Sequence, residues 1–438
     1  MLKGTENLSQ YECICQREHT FTSEVISGDG AVLKLPGILA ARSIGNVFVF
    51  ADKNTFAAAG ERVCALLEEA GIRTRTFVFD ADRLEPNDKN VGIAIMNFDK
   101  DCDAVLSVGS GVLNDLGKIV ANVSEKPYII VCTAPSMDGY ASASSSMTVD
   151  GLKTSVKSKC PDIILADTDI LCSAPTKMML SGLGDMLAKY VSICDWRIAH
   201  LVTGEYYCED VADLVRQSLK RCIDNADGLL RRDRDAVNAV TEGLILCGAA
   251  MKFAGVSRPA SGIEHYFSHI FDMRAEEFGT PCDFHGIQCA IGTLLSVKLY
   301  EKLKNFTPDR KKAMDFVKAF DVRAYHQSLV KLLGRGAENM IKLEEKERKY
   351  DREKHEKRLD IILRNWDKIL GIINEELPPA AELEDLMDRL GMPKTPDEIG
   401  IDGGICKAAF DATRDIRDKY VLSRLCWDLG IENIFDLP

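Results

Sequence analysis

Short apolar runs alternate with stretches of helical period through the first third of the chain. NVFVFAD (46–52) reads as a buried strand, and TFAAAGERVCALLEEAGI (55–72) as an amphipathic helix with Gly71 close to its end. TRTFVF (74–79) is a second strand. A helical pattern returns around VGIAIMNFDKD, and DAVLSVGS (103–110) is a third strand. A helix begins in GVLNDLGKIVANVS, and PYIIVCTAP (127–135) is a fourth strand. This alternation predicts a parallel sheet covered on both faces, with ligands beyond the carboxyl ends of its strands.

From 135 to 161 the pattern changes to Ser- and Gly-rich sequence with period-2 stretches, read as a loop and hairpin region; long ordered loops of this kind are often functional. DIILAD (162–167) is a further strand, and beyond Pro175 nearly everything reads as helix. The fold class expected is an α/β nucleotide-binding domain over 1–172 followed by an all-helical domain over 173–438. The charge-rich KLEEKERKYDREKHEKR (342–358) predicts a solvated helix face.

Composition narrows the class. With 55 Lys and Arg against 67 Asp and Glu, net charge is −12, which disfavours nucleic acid and asks any anionic substrate to find a local basic pocket. The fifteen cysteines are scattered with no CxxC pair; Cys13 and Cys15 are the closest two, and on a strand they would share a face. A cysteine-ligated structural metal site is not expected. The first twenty residues carry no apolar leader, and no apolar run of membrane-span length stands out, so a reduced cytoplasmic protein is expected.

The candidate chemistry lies in four places. SVGSGVLNDLGK (107–118) is a strand running through glycines into a helix, where Gly109 and Gly111 let backbone N–H groups approach a diphosphate. It is not GxGxxG, and Asp115 could simply complement the helix dipole. TAPSMDGYASAS (133–144) offers the hydroxyls of Thr133, Ser136 and Ser142 and the carboxylate of Asp138, or an ordinary Asx or Ser turn. In SGLGDMLAKY (181–190) a helix is expected to start after Gly184, placing Asp185 in its first turn. Asp185 is then either a dipole partner or a ligand, and Lys189, four residues on, either neutralises it or reaches an anionic substrate. Finally, three of seven histidines, His265, His269 and His285, fall within 265–285. His265 and His269, one helical turn apart, can hold one metal or divide into a ligand and a catalytic group, and His285 is a helix cap or a ligand. Asp plus two neutral His leaves a divalent metal an open position.

The ordered set VGSGVLNDLGK, TAPSMDGYAS, VDGLKTS, GLGDMLAKY, SRPASGIEHYFSH and FHG resembles the sn-glycerol-1-phosphate dehydrogenases, most of all their bacterial branch, from about residue 25 to the end. MPKTPDEIGID and DIRDKYVLSRLCWDLG resemble that family's closing helices. The family sits in the superfamily of glycerol dehydrogenases, iron-type alcohol dehydrogenases and dehydroquinate synthases. The resemblance implies a dehydroquinate synthase-like fold, with the active site in the cleft between an α/β and a helical domain. It implies that Gly109, Ser110, Gly111, Val112, Leu113, Asn114 and Asp115 hold the cofactor diphosphate, with Thr133, Ser136 and Ser142 completing an NAD(P)H site. Asp138 would contact substrate. Asp185, His265 and His285 would bind zinc or nickel, less readily iron, and His269 would face the substrate. The implied reaction is NAD(P)H-linked reduction of dihydroxyacetone phosphate.

One departure stands out: the superfamily's turn has three consecutive glycines, and Ser110 takes the middle place. Serine keeps that turn only if the position needs no positive φ. The substrate phosphate needs cations, for which Lys153, Lys157 and Lys189 are candidates, with Arg258 as a further one or as a pin for its loop. Asp52, after the first strand, would favour NAD over NADP or serve a turn. The expected partner is a small phosphorylated substrate, and the expected assembly a homo-oligomer, by default a homodimer. The rival readings are a glycerol or polyol dehydrogenase without a phosphate requirement, a dehydroquinate-synthase-like lyase, and a binding protein that has lost turnover.

Overall fold

The computed structural model describes residues 13, 15, 19–81 and 83–438, so the leader reading of the first twenty residues falls largely outside the described ones. Among the described residues, eight strands precede the long helical region: β1 Glu24–Gly28, β2 Asn46–Asp52, β3 Arg73–Phe79, β4 Ala104–Gly109, β5 Tyr128–Cys132, β6 Ser144–Val149, β7 Leu152–Lys157 and β8 Ile163–Asp167. Six form one sheet in the order β1-β8-β5-β4-β2-β3, every pair parallel. The central strands β4, β5 and β8 are buried at every position, as a sheet covered on both faces requires. Edge strand β3 instead exposes Arg73, Thr76 and Arg75. β1, within the polar start, was not expected; it is the other edge and pairs only with β8.

The predicted helix over 55–72 runs as Lys53–Thr55, a π-turn over Phe56–Gly60, and Glu61–Glu69, with Gly71 beyond it at φ 76°. The Ser-rich region contains the β6–β7 hairpin, turned by Asp150 and Gly151 at φ 49° and 74°, the positive-φ pair that a tight hairpin uses. We label the helices that carry site residues α1 Gly111–Ser124, α2 Thr176–Leu187, α3 Lys189–Thr203, α4 Arg234–Ala254, α5 Ile263–Phe278 and α6 His285–Lys304.

The last sheet strand ends at Asp167, near the expected divide, but the compact units are drawn differently. One takes the chain up to Val149, Thr154–Met186 and Asp210–Ser257; the other takes Asp150–Lys153, Leu187–Glu209 and Arg258–Pro438. Helix α4 therefore packs in the first unit although it follows Pro175. It is long and apolar enough to cross a membrane, contrary to the reading of the bare sequence. Yet 83% of its apolar window is buried inside the protein, which makes it a core helix. The charged stretch at 342–358 is not one helix either: Gly336–Glu347 ends at Arg348 (φ 51°), and Asp351 caps Arg352–Arg364 by accepting the Lys354 N–H.

Candidate functional site

In the first unit the order in which strands are added to the sheet reverses between β2 and β4, and Gly109 lies at the carboxyl end of β4, where such sheets bind ligands. A Cβ at Gly109 would sit 2.3 Å from the Leu113 side chain, and one at Gly111 would meet Met137 at 2.9 Å. Ser110 has φ −116°, so the middle position does not need glycine, and its serine is compatible with the turn. Its hydroxyl pairs with that of Ser136 and accepts from Tyr140 at 3.2 Å, tying the turn to the next loop. The Thr133 N–H donates to the Gly109 carbonyl at 3.0 Å, which closes the link. Asp52, at the end of β2, caps the following turn by accepting the Thr55 N–H at 2.8 Å. Val112, Leu113 and Asn114 form the first turn of α1, with Leu113 and Asn114 buried.

The loop over 133–146 is organised by a residue that sequence reasoning passed over. Lys118 is fully buried on α1, and its ammonium donates to the Gly139 carbonyl (3.1 Å), Ser142 Oγ (3.1 Å) and the Ser144 carbonyl (2.6 Å). It also pairs with Asp115 at 2.9 Å, and Asp115 in turn accepts the Ser146 N–H. Asp115 and Ser142 thus hold the loop in place. The i,i+3 acid–base spacing on an otherwise apolar helix face was the available signal. Removing one partner of a buried pair costs about 3–5 kcal/mol. Lys118→Met is therefore expected to lower the Tm by about 10 °C and to weaken NAD(H) binding, read by thermal unfolding and titration. A Tm within a degree or two of the parent would refute this role.

Helix α2 begins at Thr176, so Asp185 lies near its carboxyl end and the dipole-partner reading falls. Gly182 and Gly184 do not break the helix. The ideal Cβ of Gly182 would lie 1.8 Å from the Pro135 carbonyl oxygen, so only glycine lets α2 approach this closely. Ser181 Oγ donates to the Ser136 carbonyl at 3.0 Å, and Asp185 accepts the Asp138 N–H at 2.9 Å. On the other side, Gly248 of α4 would meet Ala141 and the Asp138 carbonyl at 2.9 Å. Asp138 is 8% exposed and Asp185 fully buried. A buried carboxylate near the negative pole of a helix is electrostatically unfavourable unless a cation accompanies it.

In the second unit α5 and α6 bring the three histidines together, with ring centroids 5.1 Å (His265–His285), 5.9 Å (His269–His285) and 6.3 Å (His265–His269) apart. Asp195 of α3 positions α5: it accepts the Ile263 N–H at 2.8 Å and the Tyr300 hydroxyl at 2.5 Å. Burial, then the neighbouring Glu264 carboxylate, push Asp195 up to about 7. Glu264 Oε1 lies 2.8 Å from His265 Nδ1, and Ser268 Oγ lies 3.0 Å from His285 Nδ1. Gln288 Nε2 donates to Ser268 and to Asp272. With both Nδ1 atoms engaged, each ring offers Nε2 to a metal, the arrangement in which outer partners orient ligands.

Cys289, one turn after His285 on α6, adds a thiol 3.5 Å from His285 Nε2; the donor atoms of His265, His285 and Cys289 all lie within 4.8 Å of one another. Burial works against ionising this thiol, but the His265 and His285 rings outweigh it and hold it below the ordinary thiol value. The donors therefore fit a borderline-soft divalent ion. His269 Nδ1 is buried with no hydrogen-bond partner among the described residues, and burial, followed by the Arg417 charge and His285, holds the ring well below the ordinary imidazole value. It is a neutral imidazole whose ring stacks against that of His285.

Two cations act on His269. One is Lys153, at the hairpin tip, 3.9 Å from Asp272; the other is Arg417, whose guanidinium burial pushes downward. The remaining phosphate candidates are placed elsewhere. Lys157 is exposed, and Lys189 donates to the Ala260 carbonyl at 3.0 Å. Arg258 pairs with Glu205 through two nitrogens and donates to the Tyr420 carbonyl at 2.8 Å, pinning its loop.

Comparisons agree with this architecture. A family model for iron-containing alcohol dehydrogenases matches residues 26–175. A glycerol-1-phosphate dehydrogenase [NAD(P)+] of Halalkalibacterium halodurans is 34% identical over 306 residues, 69% of this chain and 76% of the relative. The chain belongs to the glycerol-1-phosphate dehydrogenase family. It is thus an oxidoreductase of the iron-containing alcohol dehydrogenase superfamily. A family member from Methanosarcina mazei is 36% identical over 256 residues, 58% of this chain and 70% of its own. Glycerol dehydrogenase from Schizosaccharomyces pombe shares the fold, with a TM-score of 0.61 over 96% of this chain and 91% of that one, at 18% identity.

Proposed function

We propose that the chain is a metal-dependent sn-glycerol-1-phosphate dehydrogenase that reduces dihydroxyacetone phosphate with NADH or NADPH. The observation that carries this beyond family membership is the buried histidine cluster on which two cations, Arg417 and Lys153, act in a chain of net charge −12. In this reading Asp185, His265 and His285 hold one divalent ion, zinc or nickel, with Cys289 beside them. When bound, that ion polarises the ketone as a Lewis acid and the dinucleotide supplies the hydride. The glycine turn from Gly109 to Asn114, with Thr133 and Ser136, positions the cofactor phosphates against the start of α1. Asp138 orients a substrate hydroxyl. His269, neutral and with Nδ1 unpartnered among the described residues, donates or accepts a hydrogen bond at the reacting oxygen. A cytoplasmic homodimer accompanies the reading.

The test is NADH and NADPH oxidation by metal-reconstituted protein with dihydroxyacetone phosphate, against dihydroxyacetone as control, followed by identification of the product enantiomer. Turnover of the phosphorylated ketone alone, giving sn-glycerol 1-phosphate, supports the reading. Equal turnover of the neutral ketone moves the protein to the polyol dehydrogenases. Arg417→Met and Lys153→Met are each expected to raise KM for dihydroxyacetone phosphate about 10- to 100-fold, the value of one charge-assisted hydrogen bond. KM for the dinucleotide should not move; if it shifts instead, these cations serve the cofactor.

A further inference from the structure

Away from the histidine cluster, the first unit gathers a second set of metal-ligating atoms. Cys13, Cys15 and His19 follow a C-x-C-x3-H spacing, and their three ligand atoms lie within 4.8 Å of one another. Cys15 Sγ is 3.1 Å from His19 Nε2, and the Cys15 N–H points to Cys13 Sγ at 3.4 Å. Amide donors of this kind stabilise thiolate charge. His19 is 2% exposed, and its Nδ1 lies 3.1 Å from the carbonyl of Phe253, at the end of α4. A carbonyl only accepts, so Nδ1 carries the proton and Nε2 presents its lone pair to the sulfurs. A carbonyl on the far nitrogen is the usual support of a metal-bound histidine. The Phe253 ring, 5.3 Å from the imidazole, fixes its other side.

From these contacts we infer that Cys13, Cys15 and His19 form a structural site for a zinc-class divalent ion. Tetrahedral zinc with ordinary bond lengths places two sulfurs about 3.8 Å apart and a sulfur and a nitrogen about 3.5 Å apart. The 3.1 Å between Cys15 Sγ and His19 Nε2 and the 4.8 Å bound on the other pairs reach those values with shifts of about 1.3 Å or less. Two thiolates and an imidazole suit zinc better than a hard ion, and the fourth position goes to water or a further donor. The site ties Cys13, Cys15 and His19 to the end of α4, which closes a long loop of chain. Metal affinity there adds to the stability of the first unit. The site is independent of the catalytic reading: it uses none of the same residues and makes no claim on the reaction.

The experiment counts metal per chain by mass spectrometry on full-length protein purified from zinc-supplemented cells, in the parent and in the His285→Ala background. Cys13→Ser/Cys15→Ser is expected to remove one equivalent in either background and, where His285 is present, to leave turnover unchanged. X-ray absorption of zinc-loaded His285→Ala should show at least two sulfur ligands, lost on the double substitution. As a measurement that needs no variant, Cys13 and Cys15 should resist alkylation in the native protein and become reactive once a chelator is added. Unchanged metal content in the double variant, alkylation indifferent to chelator, or a disulfide joining Cys13 to Cys15 would each overturn the site.

Discussion

His285→Ala is expected to leave a folded protein that no longer retains its catalytic metal and turns over at least about 1,000-fold more slowly. That factor corresponds to about 4 kcal/mol of transition-state stabilisation, within the several kcal/mol that a Lewis acid supplies. The fold should survive because His285 opens α6 at a half-buried position, and Ala is tolerated in a first helical turn. What is lost is the imidazole that Ser268 orients through Nδ1. Cys289 and His265 remain, so weak residual binding is expected, recoverable at high metal concentration. That makes the result distinguishable from misfolding: circular dichroism and Tm stay near the parent while metal content and kcat fall together. Chelation of the parent should reproduce the loss, and adding metal back should restore it. Parent-like metal content with parent-like turnover would remove His285 from the ligand set.

The order of elements was readable because a covered parallel sheet writes itself as short, wholly apolar runs. β2 and α1 fall on the residues the hydrophobic pattern predicts. β1 escaped because an edge strand needs apolar residues on only part of its length, and its burial comes from β8. The site was half readable for a similar reason. The three histidines and Cys289 carry a helical spacing on α5 and α6, although Cys289 at His285 plus four was overlooked. Arg417 and Asp195 have no local pattern that links them to the cluster; only the packing of the second unit does. Lys118 looks like a solvated lysine until the loop it holds is seen. Asp185 was misplaced because Gly182 and Gly184 read as a helix boundary, when Gly182 answers to a neighbour distant in sequence.

That neighbour sets the second large effect. In an exposed helix interior Gly→Ala stabilises by about 1 kcal/mol. At Gly182 the added methyl would sit 1.8 Å from the Pro135 carbonyl oxygen, a backbone atom that cannot rotate away, with Leu244 at 3.1 Å on the same side. Either α2 or the loop must move, and both alternatives strain the Ser181–Ser136 hydrogen bond and the contact between Asp185 and the Asp138 N–H. Overpacking of this kind costs about 1–3 kcal/mol, more where backbone is involved. Gly182→Ala is therefore expected to lose about 3 kcal/mol of stability net of its helix gain, with a Tm lower by roughly 6–12 °C. Because Thr133, Ser136 and Asp138 ride on that loop, dinucleotide and metal affinity should fall as well. Gly92→Ala is the matched control: it lies inside the helix Asp88–Met96 of the same unit, and its methyl would meet nothing within 4 Å. That variant should be as stable as the parent or slightly more so. If Gly182→Ala behaved like Gly92→Ala, the close approach of α2 to the loop, and with it the placement of Asp185 beside Asp138, would be wrong.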